Sequence, residues 1–345
     1  MLAPLIALLL LLVDSAAPSQ SKGASAGCLQ AAEKTADGRN LAAQKRYTQA
    51  IQEFRAALDQ CPDNQDAALE LTRVYLSARR FAEAERLASD ILAHDPSSEA
   101  AQLLLANSYF MQQRLPEAGK TLQKLLAQDN RNAEAHKLMG LTLFFYKEYT
   151  LAERELARSL ELKPHDEEAL YYLGRVYYTQ NNFAPAVEAF RKLTDWNPKS
   201  YKAYDNLGLC YEALEKPDEA VVAFKRAQEL ARAEDPSYDW PFANLAALLI
   251  KQNRSEQALS YAQEAVRINP RSARNQYLVA KALSRGEHLQ SPLPYLIKAT
   301  QLDPDYAEPH YLLGQLYQKL GRPAEAQREF ALFQEISERI PRAKR

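Results

Sequence analysis

The sequence predicts an all-α protein built as an open stack of about nine helical hairpins. Three observations carry this expectation. Alanine recurs every 34 residues at Ala50, Ala84, Ala118, Ala152, Ala186 and Ala220, then, after four extra residues, at Ala258 and Ala326, with Pro292 between them. A second column, twelve residues ahead of the first, holds only small residues: Gly38, Thr72, Ala106, Gly140, Gly174, Gly208, Ala246, Ala280 and Gly314. Prolines close the units at Pro62, Pro96, Pro164, Pro198, Pro270 and Pro304. Self-similarity at this period marks a repeat array whose units cannot bury their apolar faces alone and must lean on their neighbours. The chain has 10 glycines in 345 residues and no clear alternating runs, so no strand signal competes.

The elements follow in order. Residues 1–26 read as a signal peptide and a short lead. LAPLIALLLLLV after Met1 is too short to span a bilayer and fits the apolar core of a secretory signal, with small-x-small sites ending at Ala17 or Ala26. The stretch SAGC offers a lipoprotein signal at Cys28 as another reading, and without a working signal the chain stays cytoplasmic. Export to the periplasm or envelope, with no membrane span left after signal removal, is the expectation.

Residues 27–238 hold repeats one to six, residues 239–340 hold repeats seven to nine, and PRAKR at 341–345 is a basic tail. Repeat five, Glu167 to Ser200, shows the pattern in full. Leu173, Gly174 and Tyr177 lie on its first helix, Phe183 at the turn, Ala186 and Phe190 on its second helix, and Pro198 at its close. Repeat one carries Leu41 where the others have an aromatic, Asn130 replaces one closing proline, and Pro292 makes repeat eight start its second helix late, at SPLP. The four extra residues fall within ARAEDPSYDW.

A glycine inside a helix costs about 0.5–1 kcal/mol relative to alanine. The expected compensation is close approach of the small column on each first helix to the alanine column on the second, with Tyr177 and Phe190 filling the seams between hairpins. On that reasoning Gly174→Leu would overpack its hairpin.

This pattern of Leu-Gly, Tyr three residues on, Ala twelve after the Gly, an aromatic four beyond and a closing Pro resembles the tetratricopeptide repeat over residues 31 to 340. The resemblance implies a right-handed α-solenoid of helix-turn-helix repeats. It also implies an inner groove, lined by positions two, five, nine, twelve and thirteen of each first helix, that binds a protein or peptide segment. Those positions carry Leu103, Asn107, Phe110 and Met111, then Lys137, Leu141, Phe144 and Phe145, then Tyr171, Arg175 and Tyr178. Farther along come Trp240 and Tyr277, then Arg274, Lys281, Arg285 and Lys319. The Lys and Asn set of the family's carboxylate-clamp subgroup is absent. Asn206 and Asn244 resemble two rungs of the asparagine ladder of glycosyltransferase arrays, with no transferase domain following.

Cys28 falls at the start of the first helix and Cys61 at the end of its antiparallel partner, so a disulfide or two separate thiols are both open; Cys210 reads as a core residue. A net charge of -1 gives no basic balance for nucleic acid. The histidines His94, His136, His165, His288 and His310 are scattered, His136 and His310 at a packing position. No HExxH, paired CxxC, P-loop or nucleophile elbow appears. No catalytic residue, metal or cofactor is therefore expected. The function expected is a non-enzymatic scaffold, set by the resemblance among bacterial envelope proteins that act in secretion or assembly. The alternatives are an accessory subunit of an enzyme complex, or self-assembly through Phe330, Phe333 and Ile336 on the last helix.

Overall fold

A computed structural model describes residues 26–285 and 290–339. The leader, the basic tail and His288 lie outside the described residues. Among those described, every regular element is an α-helix, and the chain divides into two units, Met1–Thr121 and Leu122–Arg345.

Unit one pairs α1 (Ala26–Ala43) with α2 (Tyr47–Gln60) and α3 (Gln65–Ser77) with α4 (Phe81–His94). It continues through α5 (Glu99–Met111) into α6 (Leu115–Gln128), inside which the boundary falls. Unit two pairs α7 (Ala133–Phe145) with α8 (Tyr149–Leu162), α9 (Glu167–Thr179) with α10 (Phe183–Trp196), and α11 (Tyr201–Ala213) with α12 (Pro217–Glu234). It goes on with α13 (Trp240–Lys251) and α14 (Ser255–Ile268), α15 (Ala273–Leu283) and α16 (Leu293–Leu302), and α17 (Ala307–Lys319) and α18 (Pro323–Arg339). In each unit, first helices touch the first helices of the next hairpin, while among the described residues α2 and α4, and likewise α8, α10, α12, α14, α16 and α18, make no contact with one another, so the first helices line the inner side of each stack.

The local chemistry of each hairpin repeats with the sequence. At the turn, one residue takes the left-handed conformation: Lys45, Arg79, Gln113, Lys147, Asn181, Glu215, Asn253 and Gly321, with φ from 58 to 73°. The amide after it reaches back to close the helix, as when Asn182 N–H donates to the Tyr177 carbonyl at 2.8 Å, a Schellman closure. Only glycine and asparagine suit that conformation, so at the lysine, arginine, glutamine and glutamate positions the packed helices on either side must impose it. Several first helices then open on a side-chain cap. Asn64, Ser98, Asn132, Asp166 and Ser272 accept from the amides of Ala67, Ala101, Ala135, Ala169 and Asn275. Where a closing proline stands two residues ahead of the cap, it prevents the previous helix from running on.

The alanine column is the packing ruler: Ala50, Ala84, Ala118, Ala152, Ala186, Ala220 and Ala258 are all 0% exposed. The glycines of the small column have as their nearest neighbours not these alanines but large side chains of the second helix. A Cβ added to Gly174 would lie 2.8 Å from the Phe190 ring, and one on Gly208 only 2.4 Å from Phe224. Gly140 is covered in the same way by Leu156, and Gly314 by Phe330. Each glycine is thus the seat of a large side chain sixteen residues on in its own hairpin. Phe190 and Phe224 thus fill the interiors of their own hairpins and also belong to the core shared with the next one.

The four extra residues lengthen α12 to 18 residues against 14 for α10, adding one turn before the loop that carries Asp235 and Tyr238. As SPLP implies, α16 begins only at Leu293. Cys28 and Cys61 are joined by a disulfide with Cα atoms 4.9 Å apart, tying the start of α1 to the residue that ends α2. Cys210 is a buried free thiol, and burial pushes its pKa up to about 12.

Candidate interaction surface

The inner side of unit two carries a continuous row of rings, cations and amides, supplied in turn by α7, α9, α11, α13 and α15. At its first end the Arg175 guanidinium lies 4.8 Å from the centre of the Phe144 ring, 5.6 Å from Tyr172 and 5.8 Å from Tyr171. Phe144 meets Phe145 and Tyr172 edge-on, each at 5.3 Å. Such ring and cation contacts fix a long cation at a defined place on the surface.

One helix on, Asn206 Nδ2 donates to the Tyr171 hydroxyl at 3.4 Å. Beside it lies a buried polar network absent from the sequence expectation. Asp205, 3% exposed, accepts from Asn244 Nδ2 at 2.8 Å and from the Tyr238 hydroxyl at 2.9 Å. Asn244 in turn accepts from Arg274 Nη2 at 2.8 Å. Tyr238 comes from the loop that follows the lengthened α12 and is held there by Tyr201, whose ring packs on it at 4.9 Å and whose hydroxyl donates to Asp235 at 3.0 Å. A second buried pair, Asn275 Nδ2 to Asp239 at 2.5 Å, sits at the start of α13 and α15.

Burial dominates the electrostatics. It pushes the Asp205 carboxyl up to about 6, against the opposing pull of the Asn244 and Tyr238 hydrogen bonds and the Arg274 charge. It raises Tyr201 to about 12, helped by the hydrogen bond to Asp235, and lowers Arg274 below its usual range. Beyond the network the cations dominate. Arg274 stacks 5.3 Å over Trp240, which is 52% exposed, and Lys281 lies 5.3 Å over Tyr277. Tyr277 itself packs on Tyr306, and burial together with the nearby Glu308 raises its hydroxyl to about 12.

The structure sorts the sequence-derived residues into two sets. Phe144 and Tyr277, at 8% and 9% exposed, belong to hairpin cores and cannot present their rings to a partner; Leu141 is likewise buried. They occupy inner-face positions, but the neighbouring first helix covers them. Tyr171, Arg175 and Tyr178 are half-buried, and Phe145, Trp240 and Lys281 are exposed. Lys137 is engaged by Glu134 at 2.7 Å and Asp166 at 3.3 Å. In unit one, Leu103, Asn107 and Phe110 are half-buried and Met111 is exposed. His136 and His310 each bind a glutamate of the partner helix at 2.7 Å, Glu155 and Glu329, as structural links within their hairpins. Among the described residues no three His, Cys, Asp or Glu side chains gather as a metal site would require, and no helix is long and apolar enough to cross a membrane.

Models of the tetratricopeptide repeat match residues 41–102, 75–141 and 200–271, and a further model of the same repeat matches residues 296–321. This chain is a tetratricopeptide repeat protein. A model of the anaphase-promoting complex, cyclosome, subunit 3, also matches residues 150–227 of the array. Among solved structures, MamA is 30% identical over 47% of this tetratricopeptide chain and 95% of its own, with a TM-score of 0.44. The APC/C hetero-tetramer Cut9–Hcn1 is 15% identical over 82% of this chain and 56% of its own, with a TM-score of 0.62. PilF from Pseudomonas aeruginosa is 21% identical over 66% of this chain and 98% of its own, with a TM-score of 0.53, and shares the fold. No curated protein matches the sequence significantly.

Against the tetratricopeptide frame, the residues that sequence reasoning missed are Asp205, Tyr238, Asp239 and Asn275. The only signal available was the insertion, which adds a turn to α12 just ahead of the loop whose Tyr238 reaches the inner-face aspartate.

Proposed function

We propose that this tetratricopeptide protein is a non-enzymatic scaffold that holds an acidic, aromatic-bearing segment of another protein along the first helices of unit two. One observation carries the reading. Neither α13 nor α15 contains an aspartate or glutamate, while Arg274, Lys281 and Arg285 form no ion pair with any described residue. Arg274 commits one donor to Asn244 and lies over an exposed indole, which leaves most of its fork for a partner's carboxylate beside a surface that takes an apolar side chain. Indole and guanidinium groups of this kind dominate binding energy where they occur together.

The apolar leader and the Cys28–Cys61 disulfide favour export to an oxidising compartment such as the periplasm or envelope, where such a bond persists. The test is fluorescence anisotropy with two labelled peptides, one of alternating Glu and Phe, the other of alternating Lys and Phe. The first should bind, and Arg274→Ala or Trp240→Ala should weaken it by roughly tenfold or more, the effect of losing one anchor residue. Equal binding of both peptides, or variants that bind as the wild type does, would contradict the reading.

A further inference from the structure

Unit one carries a second site, of opposite charge and on different helices, that the inner-face reading does not use. Between the last turns of α2 and α4 and the first turn of α3 lies a cavity of about 450 Å³. Its floor is apolar, with Leu58, Leu87 and Ile91, and its rim is acidic, with Asp59, Asp63 and Asp90. No lysine or arginine lines it. The three rim aspartates are exposed and form no ion pair with any described residue, whereas Asp95 at the edge is engaged by Ser97 and Gln65. The carbonyl ends of α2 and α4 both point there and deepen the negative potential, against the single amino end of α3.

The chain contains a segment of matching chemistry. After Arg339, the last described residue of α18, the sequence continues IPRAKR at 340–345, with isoleucine and proline followed by Arg342, Lys344 and Arg345. We propose that residues 340–345 of one copy dock in this cavity on another, the isoleucine and proline on the Leu58, Leu87 and Ile91 floor and the cations against Asp59, Asp63 and Asp90. Each copy carries both the cavity and the segment, so two copies can join reciprocally about a two-fold axis, or copies can join head-to-tail into a ring or an open chain. This proposal stands independently of the inner-face reading.

The test is sedimentation velocity on the full chain over rising concentration at low salt, beside a chain ending at Arg339 and the triple variant Asp59→Asn, Asp63→Asn, Asp90→Asn. Circular dichroism provides the check that both are folded. The full chain should associate with concentration, the shortened chain should stay monomeric, and the triple variant should associate roughly tenfold more weakly, as the loss of three exposed pairs gives. A labelled IPRAKR peptide should bind the shortened chain, and less so when the three asparagines are present. A full chain that is monomeric at every concentration, or association that survives removal of residues 340–345, overturns the proposal.

Discussion

Replacing Gly208 by alanine tests how the hairpins are assembled, because the helix and its packing pull in opposite directions. In an isolated helix the change would stabilise by about 0.5–1 kcal/mol. In α11 the new Cβ would lie 2.4 Å from Phe224, a ring that is 0% exposed. Carbon atoms rest at about 3.5–4.0 Å, so the ring must move by about 1 Å into a filled interior. Overpacking of that kind costs about 1–3 kcal/mol, leaving a net loss of about 0.5–2 kcal/mol. Gly119→Ala is the control, since nothing lies within 4 Å of the Cβ that it adds to α6. It should stabilise by about 0.5–1 kcal/mol. Hydrogen exchange is the suitable assay, because a repeat array need not melt in one step. Amides of α11 and α12 should exchange roughly 2- to 30-fold faster in Gly208→Ala, and adding Phe224→Leu should recover part of the loss. Protection unchanged or increased by Gly208→Ala, or a loss of the same size from Gly119→Ala, would refute the account of the glycine as a seat for the ring.

Two further predictions concern the network and the clasp. Asp205 has a folded pKa raised from 3.8 to about 6, so its contribution to stability is full below about pH 4 and is lost as pH rises through 6, a swing on the order of 3 kcal/mol. Urea midpoints of the wild type should fall between pH 4 and 7 by more than those of Asp205→Asn; parallel profiles would show that this carboxyl is not the source. Reducing the Cys28–Cys61 bond, which closes a separation of 33 residues, should cost the first hairpin about 4 kcal/mol by loop-closure entropy. Exchange should then accelerate in α1 and α2 while α15 to α18 stay unchanged, and a uniform effect along the chain would contradict the nearest-neighbour picture.

The fold was legible because each unit repeats the same local instructions. The alanine column is buried where the 34-residue period places it, and the late start of α16 was written in SPLP. The partner of each glycine was not legible, since a column in sequence does not say at what level two helices cross, and that level put Phe190 rather than Ala186 over Gly174. The inner face was legible as a set of positions but not as exposure. Phe144 and Phe145 are neighbours in sequence, yet the first is covered by Tyr172 and the second is 42% exposed. Asp205 was invisible for a different reason. An aspartate at an inner position reads as a solvated charge until a tyrosine from the loop after α12 closes over it, and no period in the sequence announces that contact.

The disulfide changes how the molecule answers to force. If tension enters at the amino-terminal end, it passes from Cys28 straight across to Cys61, and the intervening α1 and α2 are shunted out of the mechanical path. The first hairpin therefore cannot be unzipped by pulling, and the first helix to feel the strain is α3. The opposite end has no such shunt among the described residues, so a pulled molecule should yield there first, with α18 peeling away from α17.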